Sequence, residues 1–311
     1  MHTMRLVYLK NSAFSATRPP FWALCSFLFM LHTWSLSAQT RDLEEMWKQQ
    51  QVGYKPGYAK PMYLELKEDE ILKLNDRQPN FGIFKNNYFT SGIPVNKPVT
   101  NKNFDAKFQI SIRQRLLNKI MPHYTQLMLI YTQKSFWDIA SESRPFTDNN
   151  YNPGLVASTP LILENKLKGM VSVSAEHESN GRDGDESRSW NYITLSGIYF
   201  HNIYFSVQSK LWYGLVDKEG NSDLFKYRGY GLLALNYRSF SDRLGATLVV
   251  NPGSASVNTQ LEVSFKTSKN LNQYLFLQWY QGYGENLLEY NRYTSMVRIG
   301  ICLKPPLWDI F

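Results

Sequence analysis

The sequence predicts an all-β protein, a twelve-stranded antiparallel transmembrane β-barrel of the bacterial outer membrane. Three observations lead to this fold class. Apolar and polar residues alternate through most of the chain beyond residue 80, a pattern typical of strands with one apolar and one polar face. About twelve such runs occur, and their connections alternate between long and tight, as in outer-membrane barrels. Aromatic residues make up 15% of the chain without forming a run of about 18 apolar residues, which excludes a helical membrane protein.

Each run supplies one strand. Phe205 and Val207, for instance, alternate with Ser206 and Gln208. We expect strands near residues 82–90, 104–116, 124–135, 154–164, 168–179, 188–200, 202–214, 225–238, 241–250, 255–267, 272–282 and 292–303. The longer joints are 91–103, 136–153, 215–224 and 283–291, with 180–187 and 251–254 shorter and 165–167 and 239–240 tight. The alternative is a soluble β-sandwich, but Lys, Arg, Glu and Gln on nearly every strand do not suit a dry sandwich core.

The amino terminus reads as a secretory leader. Three basic residues precede an apolar stretch at 21–31, and small residues follow up to Ala38. We therefore interpret 1–38 as a signal peptide, the alternative being a short buried helix. Residues 39–79 form a polar amino-terminal extension, and 80–311 form the barrel. Phe311 would give the closing strand a terminal aromatic residue.

Charge and cysteine content exclude several classes of function. The formal net charge is +8, and no cluster of Lys and Arg stands out, so we expect no nucleic-acid partner. With only 19% charged residues and many aromatics, the chain is not disordered. Removal of the leader takes Cys25 with it and leaves Cys302, so neither an internal disulfide nor a cysteine metal site is expected.

One hairpin breaks the apolar pattern of the lipid-facing wall. Val171, Val173 and Ala175 share one face, and by the same parity His177 and Ser179 face lipid. If the hairpin folds about its middle, at residue 184, Asn191 of the next strand lies opposite the histidine, with Cβ atoms about 5 Å apart. A slip of the register by one residue would turn the asparagine inward.

A serine, a histidine and an asparagine in a row can carry out nucleophilic catalysis. His177 can take the proton of Ser179, and Asn191 can fix the histidine tautomer. A neutral asparagine suits this position because a lipid-facing carboxylate would be costly to desolvate. The backbone N–H groups of Ser179 to Gly181 are candidates for the oxyanion hole. The alternative is coincidence, since a serine two residues from a histidine is common.

The turn after this strand carries oxygen ligands. Carboxylates, hydroxyls and carbonyls between Asp183 and Ser187 suit calcium. The turn is too short for an EF-hand, and a solvated acidic turn remains an alternative.

Several motifs resemble the outer-membrane phospholipase A family over roughly residues 80–311. They are His177-Glu178-Ser179-Asn180-Gly181-Arg182, Ser187-Arg188-Ser189-Trp190-Asn191, Tyr131-Thr132-Gln133-Lys134-Ser135-Phe136-Trp137, Pro145-Phe146, Asn150-Tyr151-Asn152-Pro153 and the ending Trp308-Asp309-Ile310-Phe311. The resemblance implies a twelve-stranded, calcium-dependent enzyme that hydrolyses acyl esters of phospholipids at sn-1, and also at sn-2 and in lysophospholipids. The extension 39–79 has no counterpart in the family.

The resemblance also assigns roles to individual residues. The catalytic triad falls on Ser179, His177 and Asn191. The calcium ligands fall on the Arg182 carbonyl and the Ser187 hydroxyl. A third ligand, the Ser143 carbonyl, would come from the partner subunit of a homodimer, and this sequence is about two residues shorter there. The dimer-interface glutamine falls on Gln133. Gly184 occupies the place of a family acid, with Asp183 and Asp185 beside it, which puts a second calcium site in doubt.

Two other functions stay open at this point. A narrow, non-enzymatic outer-membrane barrel, porin-like or structural, would share the strand pattern, although the triad parity argues against it. A soluble secreted esterase would share the chemistry and lack the barrel.

Overall fold

The computed structural model describes residues 70, 79–100, 103–117, 124–202, 204–239, 243–268 and 271–305. Its strands are β1 Phe81–Ile83, β2 Asn87–Pro94, β3 Asp105–Leu117, β4 Gln126–Trp137, β5 Phe146–Leu163, β6 Lys166–Ser179, β7 Ser189–Phe200, β8 Phe205–Val216, β9 Gly231–Arg238, β10 Leu244–Pro252, β11 Val257–Lys266, β12 Tyr274–Gly282 and β13 Thr294–Leu303. A 3₁₀ turn covers Gly184–Glu186, and a short helix, α1, covers Leu224–Arg228. No helix in these ranges is long and apolar enough to cross a membrane.

The strands close into an antiparallel barrel. Each strand from β2 to β13 pairs with its neighbours in the chain, and β13 returns to pair with β2. The short β1 lies along the same edge of β3 as β2 does, with Phe81 opposite Gln114 and Tyr88 opposite Gln109. Together β1 and β2 make one barrel strand with a break at 84–86. The predicted twelve-stranded antiparallel barrel is therefore confirmed.

The two faces of the wall differ as the alternation predicts. Outward residues of β7 and β8 are strongly exposed, with Ile193 at 61% and Leu215 at 72%, while their chain neighbours face the lumen. Such an apolar outer wall suits lipid. The lumen instead contains buried polar residues, among them Lys107, Gln278 and Arg298. Barrel closure leaves no unpaired sheet edge between strands, which a bilayer requires.

Ion pairs cross the lumen near the end that carries the long loops. Arg298 Nη1 lies 2.6 Å from Glu285 Oε1, and Arg298 Nη2 lies 2.7 Å from Asp105 Oδ2. Lys107 Nζ lies 3.0 Å from the same Glu285. Glu285 belongs to the β12–β13 loop, so these contacts draw that loop into the barrel.

Two predicted strand boundaries are wrong by six residues or more. The strand expected from 225 begins only at Gly231, because Leu224–Arg228 forms α1. The apolar side of this helix packs against Trp190 in a cluster that also includes Tyr290, so its apolar residues face a loop core and not lipid.

The joint expected over 136–153 shortens to residues 138–145, because β5 starts at Phe146. The first residues of β5 are polar. Asp148 and Asn150 point inward and accept hydrogen bonds from the backbone N–H groups of Leu287 and Leu288. Pairing with a lumenal loop, not with lipid, explains why this part of the strand lacks apolar alternation.

Other sequence predictions lie outside the described residues. They are the signal peptide 1–38, the extension 39–79 apart from residues 70 and 79, and the terminal Phe311. These stay predictions.

Candidate functional site

The β6–β7 hairpin has the register that the sequence predicts. His177 pairs directly with Asn191, and both side chains point to the outside of the barrel. The distance between His177 Nδ1 and Asn191 Oδ1 is 2.9 Å. Since an amide oxygen can only accept, this contact places the proton on Nδ1 and leaves Nε2 as a base.

Ser179 lies on the same outer face, two residues beyond the histidine. Its Cα atom is therefore roughly 6.5–7 Å from that of His177. It pairs with Tyr151 of β5 and Ser189 of β7, and its side chain is half-buried. The Ser179 hydroxyl forms no hydrogen bond with any part of the chain that the structure describes. Among the described residues, neither the Ser179 hydroxyl nor His177 Nε2 has a hydrogen-bond partner, and both lie on the outer face of β6.

Gly181 follows the strand in a left-handed backbone conformation, which favours glycine. Its φ angle is +67°, and a Cβ atom placed on it would lie 3.0 Å from Cε2 of the Tyr151 ring. A left-handed backbone conformation costs other residues about 1–2 kcal/mol. The tyrosine ring therefore packs directly on the glycine backbone beside Ser179, where backbone N–H groups would have to approach a substrate oxygen.

The loop between β6 and β7 is fixed by Asn180. This buried side chain accepts hydrogen bonds from the backbone N–H of Arg182 at 3.3 Å and of Arg188 at 3.0 Å, and it donates to the Glu186 carbonyl at 2.8 Å. The Arg182 side chain also donates to Glu186 and reaches the Thr147 carbonyl at 2.6 Å. The loop therefore has a defined shape, held from inside by one asparagine.

Oxygen donors of this loop fit a hard cation. The Ser187 hydroxyl has no hydrogen-bond partner within the described ranges, and the Arg182 side chain is engaged with Glu186 and the Thr147 carbonyl. Neutral hydroxyl and carbonyl oxygens, with Asp183 and Asp185 alongside, are the ligand types that calcium takes. The residues present are thus compatible with calcium held by Arg182 and Ser187.

The inner face of the hairpin carries a buried ion pair that the sequence did not reveal. Glu178, between the histidine and the serine, points into the lumen and bonds Arg228 Nη1 at 2.6 Å. Trp190 Nε1 donates to the same carboxylate at 3.0 Å, and Lys134 Nζ lies 3.7 Å away. Arg228 belongs to α1, where the sequence pattern predicts a strand, so the pattern does not indicate this partner.

A second inner contact supports the histidine directly. The side-chain amide of Asn152 on β5 donates to the His177 carbonyl at 3.0 Å and to the Tyr192 hydroxyl, also at 3.0 Å. Asn152 thus has a structural role, because it ties β5 to the backbone of the candidate base.

The structure places Gln133 and Ser143 apart from the hairpin loop but on the same side of the barrel. Gln133 faces outward on β4 opposite Tyr151, which in turn pairs with Ser179. It accepts from the Tyr131 hydroxyl and donates to the Ser135 hydroxyl, both at 3.1 Å. Ser143 is exposed in the 138–145 loop and forms no hydrogen bond with other described residues of its own chain.

A closed barrel with an apolar outer wall defines an integral outer-membrane protein. The polar side chains of the β6–β7 hairpin lie on that wall and would therefore contact lipid. The comparison with protein families agrees. The chain belongs to the phospholipase A1 family, whose model matches residues 70–303. The family resemblance inferred from the hairpin motifs is therefore confirmed, and the protein is a multi-pass β-barrel of the bacterial outer membrane.

Three similar proteins support this assignment. The phospholipase A1 of Salmonella typhimurium is 32% identical over 213 residues, which cover 67% of this chain and 71% of that protein. The outer membrane phospholipase of Salmonella typhi, solved as a dimer with bound calcium, is 25% identical with a TM-score of 0.66 and covers 76% of this chain and 98% of that one. An Escherichia coli outer membrane phospholipase A with an active-site asparagine replaced by alanine matches with 25% identity, a TM-score of 0.65 and the same coverage.

Proposed function

We propose that this phospholipase hydrolyses acyl ester bonds of phospholipids with Ser179 as nucleophile, His177 as general base and Asn191 as the residue that orients the base. The observation that carries the proposal is the 2.9 Å contact between His177 Nδ1 and Asn191 Oδ1 on the lipid-facing wall. The active-site asparagine of the Escherichia coli relative supports the assignment. Because these side chains face outward from the barrel, they lie where a lipid substrate would reach them.

The reaction follows from the positions of these groups. His177 Nε2 takes the hydroxyl proton as Ser179 Oγ attacks the ester carbonyl. Backbone N–H groups of Ser179 and Gly181 donate to the developing oxyanion. The intermediate collapses to an acyl-serine, and the imidazolium returns its proton to the departing lysophospholipid oxygen. Water, activated by the same histidine, then releases the fatty acid and restores the serine.

Calcium is the cofactor we infer. The Arg182 carbonyl and the Ser187 hydroxyl would hold it beside the oxyanion position, and the calcium bound in the Salmonella typhi structure supports this choice. When bound, a divalent cation there would stabilise negative charge on the substrate. The chain's own part is to present two neutral oxygens on a loop that Asn180 holds in shape.

The active form would be a homodimer. Gln133 faces outward in the same row of residues as Tyr151 and Ser179, so a second barrel packed against that wall would border the site. Ser143 of the partner would then supply a third calcium ligand through its carbonyl. The dimeric state of the Salmonella typhi structure supports this assembly.

Substrate access follows from the position of the site. The hairpin loop lies at the end of the long loops, the extracellular end in outer-membrane barrels, so phospholipids of the outer leaflet would be the substrates. We infer cleavage at sn-1, with sn-2 and lysophospholipid cleavage as additional activities. Dependence on calcium and on dimerisation would keep the enzyme silent until phospholipids reach that leaflet.

Phospholipid hydrolysis in detergent, with and without EDTA, tests the proposal. We expect Ser179→Ala to abolish activity and EDTA to suppress activity of the unmodified chain. Ser189→Ala is the matched control, because Ser189 lies opposite Ser179 on the neighbouring strand. Full activity of Ser179→Ala, or no effect of EDTA, would contradict the mechanism.

A further inference from the structure

The backbone of His177 directs its hydrogen-bonding groups to one neighbouring strand only. The carbonyl of Asn191, its partner on β7, points toward β8, since that oxygen lies 2.6 Å from a Cβ atom placed on Gly214. In an antiparallel sheet, His177 and Asn191 therefore form a pair without backbone hydrogen bonds between them. Such pairs bring side chains close, in agreement with the 2.9 Å contact of the two residues. The backbone of the histidine must then be held by β5.

The residue of β5 opposite the histidine is Pro153. The register fixes this position, because Gly154 pairs with Glu176 and the same register continues to Ser179 at the end of β6. A proline carbonyl can accept a hydrogen bond from the His177 N–H group, but proline has no N–H group to donate in return. Prolines are accordingly rare inside strands that are paired on both sides.

The His177 carbonyl therefore lacks the donor that a regular sheet would supply. It points toward β5, as does the carbonyl of Ala175, whose oxygen lies 3.0 Å from a Cβ atom placed on Gly154. Residues two positions apart in a strand direct their carbonyls to the same neighbour. A backbone carbonyl in a barrel wall needs a partner within the protein, because lipid offers no donor.

The side chain of Asn152 supplies this donor. Its amide nitrogen donates to the His177 carbonyl at 3.0 Å and to the Tyr192 hydroxyl at 3.0 Å. The tyrosine hydroxyl in turn donates to Glu176 Oε2 at 3.0 Å. Both amide hydrogens are thus engaged, which fixes the orientation of the amide group. Asn152 is only 6% exposed and points to the lumen, away from the lipid side of the wall.

We propose that Asn152 is a positioning residue for catalysis. Its side-chain amide takes the place of the N–H group that Pro153 lacks, and so fixes the backbone of His177 and the imidazole relative to Ser179. This inference rests on the proposed function, in which His177 is the general base. The position matters because a displacement of about 1 Å can cost roughly a hundredfold in rate.

Steady-state phospholipid hydrolysis by the full chain, in mixed micelles with calcium, tests the proposal. Asn152→Leu removes the donor, keeps a similar side-chain volume and keeps lumenal water away from the His177 carbonyl. We expect kcat to fall by about tenfold or more. KM should change little, since Asn152 does not face the lipid.

Asn272→Leu is the matched control. The Asn272 amide also donates to a backbone carbonyl, that of Lys304 at 2.7 Å, but it lies at the opposite end of the barrel. This variant should lose some stability against urea while its kcat stays that of the unmodified chain. A loss of stability alone would therefore not explain a loss of kcat in Asn152→Leu.

A second variant restores the backbone donor. Pro153→Ala introduces an N–H group opposite the His177 carbonyl, so the double variant Asn152→Leu with Pro153→Ala should match the kcat of Pro153→Ala alone. This recovery would not follow if Asn152 acted only through its contact with Tyr192. The comparison of the double variant with Pro153→Ala also decides the question if Asn152→Leu alone does not fold.

The proposal is overturned if Asn152→Leu retains the kcat of the unmodified chain, if Asn272→Leu loses as much, or if the double variant is less active than Pro153→Ala. His177→Ala separates this failure from a failure of the proposed function. It should be inactive whatever the result at Asn152, and full activity of His177→Ala would contradict the proposed function itself.

Discussion

The Glu178 carboxylate and the Arg228 guanidinium form an ion pair inside the barrel, with 2.6 Å between Oε2 and Nη1. Its position matters because Glu178 lies between His177 and Ser179 in the chain, and neighbours in a strand point to opposite faces. The candidate triad on the lipid side is thus backed by a charged network on the lumenal side. Arg228 also lies 5.3 Å from the centre of the Trp190 ring, which extends the network to the second strand of the hairpin.

Removal of one partner of this pair should destabilise the barrel. Arg228→Met leaves Glu178 buried with Lys134 at 3.7 Å as its remaining cation, and we expect a loss of about 3 kcal/mol in the free energy of unfolding. Urea unfolding in detergent measures it. The double variant Glu178→Leu with Arg228→Met removes both charges of the pair and should recover part of that loss, since Lys134 and Trp190 then lose the carboxylate that they contact. If the single variant is as stable as the unmodified chain, the pair does not support the hairpin.

Asn191→Ala should lower kcat by about ten- to a hundredfold, because the variant loses a hydrogen bond of roughly 1.5–3 kcal/mol to the charged imidazole in the transition state. KM should change little, since Asn191 would contact the histidine and not the substrate. Steady-state hydrolysis of a phospholipid in mixed micelles gives both constants. Asn96→Ala, in the exposed β2–β3 loop, is the control. A change in KM with an unchanged kcat would assign Asn191 to lipid binding instead.

Gly181→Ala and Gly184→Ala form a matched pair. Both glycines have positive φ, at +67° and +58°, but a Cβ on Gly181 would meet the Tyr151 ring at 3.0 Å, whereas nothing lies within 4 Å of a Cβ on Gly184. Both variants should lose about 1–2 kcal/mol of stability from backbone strain.

Only Gly181→Ala should also lose activity, by about tenfold or more, because the contact displaces the backbone beside Ser179. Hydrolysis rates at saturating calcium, set beside unfolding free energies, separate the two effects. Equal activity of the two variants would show that close approach to Gly181 is not needed for catalysis.

The barrel and the row of His177, Ser179 and Asn191 could be predicted from the sequence because both depend on the strict two-residue period of a strand. Once Val171, Val173 and Ala175 are assigned to lipid, parity decides where every later residue of β6 points. The short loop then limits the register, and the structure has the pairing of His177 with Asn191 that this reasoning predicts.

The lumenal contacts could not be predicted, because they join residues far apart in the chain. Arg228 reaches Glu178 across 50 positions, and Asp148 meets the backbone of Leu288 across 140. No local pattern encodes such pairs. The alternation of Phe225 and Tyr227 with polar neighbours even favours a strand, and it is the packing of α1 on Trp190 that decides for a helix.

Ser187→Ala should raise the calcium concentration needed for half-maximal activity by about tenfold or more, since it would remove one of the few protein ligands of the proposed calcium site. Activity at saturating calcium should largely return. The variant should unfold like the unmodified chain, because the Ser187 hydroxyl has no hydrogen-bond partner among the described residues. Ser254→Ala is the control for loss of a serine hydroxyl from an exposed loop, because Ser254 lies in the β10–β11 loop. An unchanged calcium requirement would remove Ser187 from the ligand set.

Glu285 should make barrel stability depend on acid pH. Burial alone raises the pKa of its carboxyl, but Arg298 and Lys107 outweigh burial and hold the pKa at about 2, below the ordinary value of 4.5. Because the pKa in the folded state is the lower one, the charged pairs contribute fully above pH 4.5, and the contribution is lost as pH falls toward about 2.

Glu285→Gln removes this dependence, so its stability deficit relative to the unmodified chain should be largest at neutral pH and shrink as pH falls through that window. Urea unfolding of both proteins over a pH series measures the deficit. Glu219→Gln, exposed in the β8–β9 loop, serves as the control for loss of one carboxylate. A deficit that stays constant with pH would mean that Glu285 is not charged in the folded barrel, and that Arg298 is held in the lumen by Asp105 alone.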